Sequence, residues 1–219
     1  MIFQLLTDED IAFCKKELNE VGYADGKQTQ NISKLYNIKE NKETPVDTVL
    51  GKYISGVFLS NTTLNNIYNP SMVNMQIVNK YGPGDFYDFH VDPFENSMTG
   101  MANNFGFSIA LNNDYEGGEF VIDGDGGRVA HKLHTGEIIV FPVMYPHAVQ
   151  EVTKGTRQNI IGWFSSNISF EQAYMLKHLN DVVQIGKSLV KDTPDQSKKD
   201  LLIKSVLLQK YIRREWSKQ

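Results

Sequence analysis

The run Tyr81-Gly-Pro-Gly-Asp-Phe-Tyr-Asp-Phe-His90-Val-Asp92 decides how this chain is read. Side chains two apart in an extended strand point to the same face, so His90 and Asp92 converge on one point without any special backbone. A second imidazole would complete the two-histidine, one-carboxylate face that leaves open positions on non-haem iron(II). His147, at the end of Pro142-Val-Met-Tyr-Pro-His147, is the candidate. It follows Gly136-Glu-Ile-Ile-Val-Phe-Pro142, which reads as a turn, a buried strand and a stop. In a jelly roll, strands distant in sequence lie side by side, so a ligand far downstream can reach the first two.

Ten positions after His147 comes Arg157, where the glycine turn of Lys154-Gly155-Thr156 leads into a last core strand. A guanidinium entering a barrel needs a planar anionic partner, and a dicarboxylate cosubstrate would supply one through a bidentate pair.

Outward from this centre, short apolar or alternating runs are broken by glycine, asparagine and aspartate from Met72 onward. The runs are Val73 to Asn79, Phe86 to His90, Phe105 to Leu111, Glu119 to Ile122, Val129 to Leu133, Ile138 to Phe141, Ala148 to Val152 and Asn159 to Phe164. Two packed sheets of jelly-roll type are expected, a double-stranded β-helix with cupin-like character. Asn112 to Gly118 and Asp123 to Gly127 read as hairpin turns.

Helical spacing flanks the strands. Thr7 caps a helix carrying Ile11, Cys14, Leu18 and Val21, which Gly22 ends. A second follows Pro45 through Val49, Leu50, Tyr53, Ile54, Val57 and Phe58, and these helices are expected to cover one sheet face. From Tyr23 to Thr44 the chain is polar and irregular apart from a short apolar patch at Leu35-Tyr36, and strand fragments and loop are expected there. After Phe164 come a helix from Phe170 to Val183, a break at Thr193-Pro194-Asp195, and a helix from Leu201 to Trp216. One domain of 219 residues is expected: 1–70 helical and irregular, 71–166 the core, 167–219 helical.

A net charge of −4 argues against a general nucleic-acid binder. The lone Cys14 forms no internal disulfide and reads as a small buried apolar residue. No apolar run matches a membrane span, and no signal peptide opens the chain, so a cytoplasmic protein is expected. Oligomeric state is open at this stage.

With these residues in hand, the chain resembles the iron(II)- and 2-oxoglutarate-dependent dioxygenases, specifically the PKHD-type hydroxylases related to prolyl 4-hydroxylases. The likeness includes Tyr23-Ala-Asp-Gly26 with Thr29, the hairpin Tyr115-Glu-Gly-Gly-Glu119 and the closing helix ending in Arg213-Arg214-Glu215-Trp216. Gln30 departs from it, standing where a glycine is expected. The resemblance implies iron(II) held by His90, Asp92 and His147, and 2-oxoglutarate pairing with Arg157. It also implies L-ascorbate as a further cofactor and O2 as oxidant. The implied reaction couples decarboxylation of 2-oxoglutarate to hydroxylation of a C–H bond, foremost in a prolyl residue of a protein or peptide. A free amino acid, another small metabolite or a nucleobase is the alternative substrate. A non-catalytic metal-binding jelly-roll module is the rival of another class. Tyr81 resembles a cosubstrate-binding group and Tyr87 a substrate-side group. Tyr87 lies three residues before His90, so simple alternation sends it to the opposite face unless a bulge intervenes.

Bland readings stand beside these. His131 and His134 flank a hairpin and read as solvated, and His178 as structural or exposed. Asp123 and Asp125 read as a plain turn without the later glutamate of a calcium loop. Lys198, Lys199, Lys204, Lys210, Arg213, Arg214 and Lys218 read as a solvated helix face. Ser108 could touch the cosubstrate or satisfy its hydroxyl within the sheet.

Overall fold

The structure, a computed structural model, describes residues 1–29, 39–46, 48–95, 100–193 and 195–216. In chain order it comprises β1 (Ile2–Gln4), α1 (Asp8–Glu17), β2 (Ala24–Asp25), a 3-10 turn (Gly26–Thr29), β3 (Lys39–Glu40), β4 (Lys42–Pro45), α2 (Thr48–Ser60) and α3 (Thr62–Tyr68). Next come β5 (Pro70–Tyr81), β6 (Phe86–His90), β7 (Phe105–Ala110), β8 (Glu116–Gly117), β9 (Phe120–Gly124), β10 (Gly127–His131) and β11 (Glu137–Pro142). The chain closes with β12 (His147–Val149), β13 (Val152–Lys154), β14 (Arg157–Ser166), α4 (Phe170–Asp192) and α5 (Gln196–Trp216). Leu35-Tyr36, Gln30, Pro194 and Lys218 lie outside the described residues. Two compact units emerge: Met1–Phe58 with Val73–Phe164, and Leu59–Met72 with Ser165–Gln219.

The first unit is a jelly roll. One sheet runs β1-β11-β7-β14-β5-β4-β2 and the other β10-β9-β12-β6-β3, with β13 and β8 forming a short ribbon. Strand β14 sits between β7 and β5, and β12 between β9 and β6, so neighbours in space come from far apart in the chain. Inward-facing side chains of both sheets, among them Tyr81, Phe120, Ile139, Phe141 and Val149, share one apolar cluster. A second aromatic layer forms where Phe58 of α2 meets Phe107 and Phe164, with centroids 5.0 and 5.2 Å away. Here α2, one of the two helices expected to cover a sheet face, does so. Burying an aromatic of this size is among the largest single contributions to a core.

Several boundaries differ from the sequence reading, each for a local reason. Helix α1 stops at Glu17 and leaves Val21 outside it, although Thr7 and Asp10 form the anticipated capping box. Helix α3 was not anticipated, because its apolar set is only Leu64, Ile67 and Tyr68; Asn61 Oδ1 starts it by accepting the N–H groups of Thr63 and Leu64, both at 3.0 Å. The run Ala148 to Val152 is not one strand. Val149 ends β12 in the five-stranded sheet, and Val152 opens β13 against β8.

In the second unit Ser169 caps α4 in a box with Gln172. Helices α4 and α5 pack through Gly186, whose missing Cβ leaves room for Leu202, and through a bond from Gln209 Nε2 to Asn180 Oδ1 of 3.4 Å. Arg213 donates to Asn66 at 2.9 Å.

Candidate active site

Strands β6 and β12 are antiparallel neighbours, and their pairing sets His90 directly opposite His147. The two rings lie 4.3 Å apart at 56°. Asp92, just past the end of β6, brings its Oδ1 to 3.6 Å from His90 Nε2 and its Oδ2 to 3.4 Å from His147 Nε2. All three offer a ligand atom within 4.8 Å of one another. The sheet thus assembles the trio that the spacing of His90 and Asp92 suggested.

Each imidazole is aimed by the backbone. His90 Nδ1 meets the Asp88 carbonyl at 2.8 Å, and His147 Nδ1 meets the Tyr145 carbonyl at 3.0 Å. A carbonyl oxygen only accepts, so each Nδ1 carries the hydrogen and each Nε2 keeps its lone pair toward Asp92. Trp163 Nε1–H donates to Asp92 Oδ2 at 2.9 Å. Two lone pairs facing one carboxylate at these distances repel unless a proton or a metal cation lies between them.

Electrostatics points the same way. Burial, and then the neighbouring His147, push the His90 imidazolium down to about 4, against a smaller opposing pull from Asp92. Burial works to raise the Asp92 carboxyl, but the imidazoles of His147 and His90, whenever either carries a proton toward it, and the Trp163 N–H outweigh it, and the net shift is downward. Near neutral pH, then, Asp92 is an anion and His90 a neutral donor. That donor set suits a borderline divalent metal such as iron(II).

Arg157 opens β14 and is only 2% exposed. Its Cζ lies 5.3 Å from the centre of the Tyr81 ring, and Tyr115 hydrogen-bonds the guanidinium. Nε and Nη1 have no hydrogen-bond partner among the described residues. A buried cation with free donors is costly, and a carboxylate brought against it would offset the cost; Arg157 itself is not among the residues that line the cavity at the trio. Tyr81 is itself fully buried, which raises its hydroxyl pKa, against a smaller lowering by Arg157. Tyr81 shares with the metal trio the wall of a cavity of ≈ 360 Å³.

Tyr87 reaches that cavity by the device its parity demanded. Between the pairs His147↔His90 and Val149↔Tyr87, β6 holds one more residue than β12, so the register shifts through a bulge. Tyr87 therefore returns to the inner face and stacks on His90. Ser108 also lines the cavity, and its hydroxyl accepts from Asn159 Nδ2 at 2.9 Å, the satisfaction within the sheet that was one of its two readings.

Other residues of the wall went unnoticed in the sequence. Lys39 and Glu43 form a buried ion pair there, with Thr29 Oγ1 2.7 Å from each and Asn41 Nδ2 donating to Glu43 at 3.1 Å. They come from a polar segment without periodicity, which carried no signal. Trp163 was legible: Arg157, Asn159, Ile161 and Trp163 alternate along β14 on one face.

Residues given bland readings stay outside the site. His134 and His178 are exposed, and His131 is partly buried on β10. Asp123 pairs with Arg128 at 2.9 Å, and Asp125 accepts from Tyr145 at 2.7 Å. Cys14 is buried, and burial, then Asp10, push its thiol up to about 12.

A family model described as the 2OG-Fe(II) oxygenase superfamily matches residues 76–165, the stretch that carries His90, Asp92, His147 and Arg157. Curated relatives extend the match across nearly the whole chain. A PKHD-type hydroxylase of Picosynechococcus sp. is 35% identical over 210 residues, covering 93% of this chain and 93% of the relative. Another, of Prochlorococcus marinus, is 29% identical over 214 residues and 94% of each chain. The chain belongs to the PKHD-type hydroxylases within that superfamily. Solved structures agree on the fold. A prolyl hydroxylase of Trichoplax adhaerens, in complex with a hypoxia inducible factor oxygen degradation domain peptide fragment, superposes with a TM-score of 0.58 at 19% identity, over 80% of this chain and 86% of that one. A Pseudomonas putida prolyl-4-hydroxylase gives 0.53 at 16% identity, over 76% and 91%.

Proposed function

We propose that this protein hydroxylates a C–H bond of a prolyl residue in a protein or peptide, with iron(II) held by His90, Asp92 and His147 and with 2-oxoglutarate as cosubstrate. The observation that carries the reading is the pair of imidazole Nε2 atoms whose lone pairs are fixed toward Asp92 by backbone carbonyls. When bound, iron and 2-oxoglutarate supply the oxidising power for C–H hydroxylation, with L-ascorbate as auxiliary reductant. The chain supplies the rest. Arg157 receives the far carboxylate of the cosubstrate, and Tyr81 closes that end of the cavity. The apolar wall of Phe120, Phe141 and Val149 excludes bulk water. Tyr87 lines the same cavity on the side of His90, toward the substrate.

The prolyl assignment draws on the resemblance to prolyl 4-hydroxylases. A free amino acid or another small polar metabolite is the second reading, favoured by the buried Lys39–Glu43 pair in the cavity wall. The proposed place of action is the cytoplasm, where iron stays reduced and Cys14 stays a thiol. No helix among the described residues is long and apolar enough to cross a membrane.

The experiment is succinate release from 2-oxoglutarate, scored together with a gain of one oxygen in mass across prolyl peptides and free amino acids. Succinate release should require iron(II) and stop in His90→Ala and Asp92→Ala. Release that persists after loss of both His90 and His147 would sink the metal assignment, and oxygen gained only by free amino acids would sink the peptide.

A further inference from the structure

The two histidines of the trio are aimed by backbone carbonyls, whereas Asp92 is held by a side chain. Asp92 lies two residues beyond the end of β6. Its Oδ2 accepts the indole N–H of Trp163 at 2.9 Å and lies 3.4 Å from His147 Nε2, while its Oδ1 lies 3.6 Å from His90 Nε2. Trp163 belongs to β14, the strand that also carries Arg157, and both project from the same face of that strand. One rigid strand therefore reaches both the carboxylate of the trio and the buried cation.

A carboxylate can bind a cation through one oxygen or through both. Two-oxygen binding would use up a position that an incoming ligand needs. An indole N–H is a donor only, so it occupies a lone pair of Oδ2 and resists rotation of the carboxylate. We propose that Trp163 is a positioning residue that keeps Asp92 a one-oxygen ligand and so preserves the open positions on the ion. This rests on the reading of the trio as an iron site, and Trp163 acts through Asp92 rather than on substrate. Partners that orient a metal ligand are typically worth about 10- to 100-fold in metal affinity when removed.

The test compares the full-length protein with Trp163→Phe and Trp163→Gln, using cobalt(II) as probe. Affinity is read by calorimetry and coordination by the visible absorption of the bound ion. Trp163→Phe keeps a ring but lacks the donor. It should bind cobalt about 10- to 100-fold more weakly, with an altered spectrum, and Trp163→Gln should recover part of both. Because Trp163→Phe could misfold, a second protein carries 3-benzothienylalanine in place of Trp163, which exchanges the N–H for sulfur at nearly the same shape. It should behave like Trp163→Phe. Cobalt affinity within twofold of wild type and an unchanged spectrum in either donor-less protein overturn the proposal. So does a wild-type spectrum with the sulfur isostere when Trp163→Phe is weakened, since packing alone would then be at work. Failure of the wild-type protein to bind cobalt or iron(II) at all would instead bring down the metal-site reading, a separate result.

Discussion

Tyr87 lies flat against His90, with ring centroids 3.6 Å apart and planes within 12° of parallel. The ammonium of Lys39 stands 4.6 Å from the centre of the same tyrosine ring. Stacked aromatic pairs contribute about 0.5–1.5 kcal/mol beyond their area burial. Tyr87→Phe should therefore keep wild-type iron(II) affinity, whereas Tyr87→Ala, by freeing the imidazole, should weaken it about two- to tenfold. Anaerobic metal titration decides. Equal affinities for the alanine variant and the wild type would show that the ring has no hold on the ligand.

The metal-free protein should lose stability in mild acid. His90 titrates near 4 in the folded chain, below its ordinary 6.5. Between those values the unfolded chain binds a proton that the folded chain does not, so the stabilisation is complete above about pH 6.5 and is lost as the pH falls toward about 4. The loss is on the order of 3 kcal/mol. Asp92, whose carboxyl is shifted down, adds a further loss only below its ordinary 3.8. Urea denaturation of the metal-free protein across this range measures the slope, and His90→Gln should flatten it.

Arg157 should separate stability from cosubstrate binding. Hydrogen bonds to a charged group are worth about 1.5–3 kcal/mol, so Arg157→Met should weaken 2-oxoglutarate binding about 10- to 100-fold while leaving iron(II) affinity near wild type. Because the guanidinium is buried with two nitrogens that find no partner among the described residues, the same change should leave the melting temperature without cosubstrate equal or higher. A large drop in that temperature would mean that the cation is satisfied within the protein.

The glycines of Tyr115-Glu-Gly-Gly-Glu119 have a physical cause. Gly117 and Gly118 have φ of +70° and +66°, and a Cβ on Gly118 would stand 2.8 Å from Val152 Cγ2 and 3.2 Å from Arg157 Cδ. Gly118→Ala should lower stability by about 1 kcal/mol or more through backbone strain, and should raise the KM for 2-oxoglutarate by displacing Arg157. A variant with unchanged KM would show that the hairpin does not shape that subsite.

The candidate site was legible where chemistry and spacing coincide. His90 and Asp92 announced themselves through a two-residue step, His147 by following a buried strand and a stop, and Arg157 by its place at the start of the last core strand. Tyr87 was read only as far as a conditional, because an alternation rule places it on the wrong face and a bulge is a property of two paired strands. Lys39 and Glu43 sit in a largely polar segment whose sequence has no helical or strand period. Nothing local could show that they would be carried into the cavity wall.

The sequence by itself determined which groups are available and the local conformations that present them. It set the capped helix at Thr7, the alternation along β14, the positive-φ glycines and the His-x-Asp step. Tertiary structure alone decided which of these groups meet. His147 faces His90 because β12 is inserted between β6 and β9, and Trp163 meets Asp92 because β14 crosses into the core. The physical reason is that propensity and periodicity act over a few residues. Strand order and register are fixed by burying two sheet faces against each other, which depends on the whole chain at once.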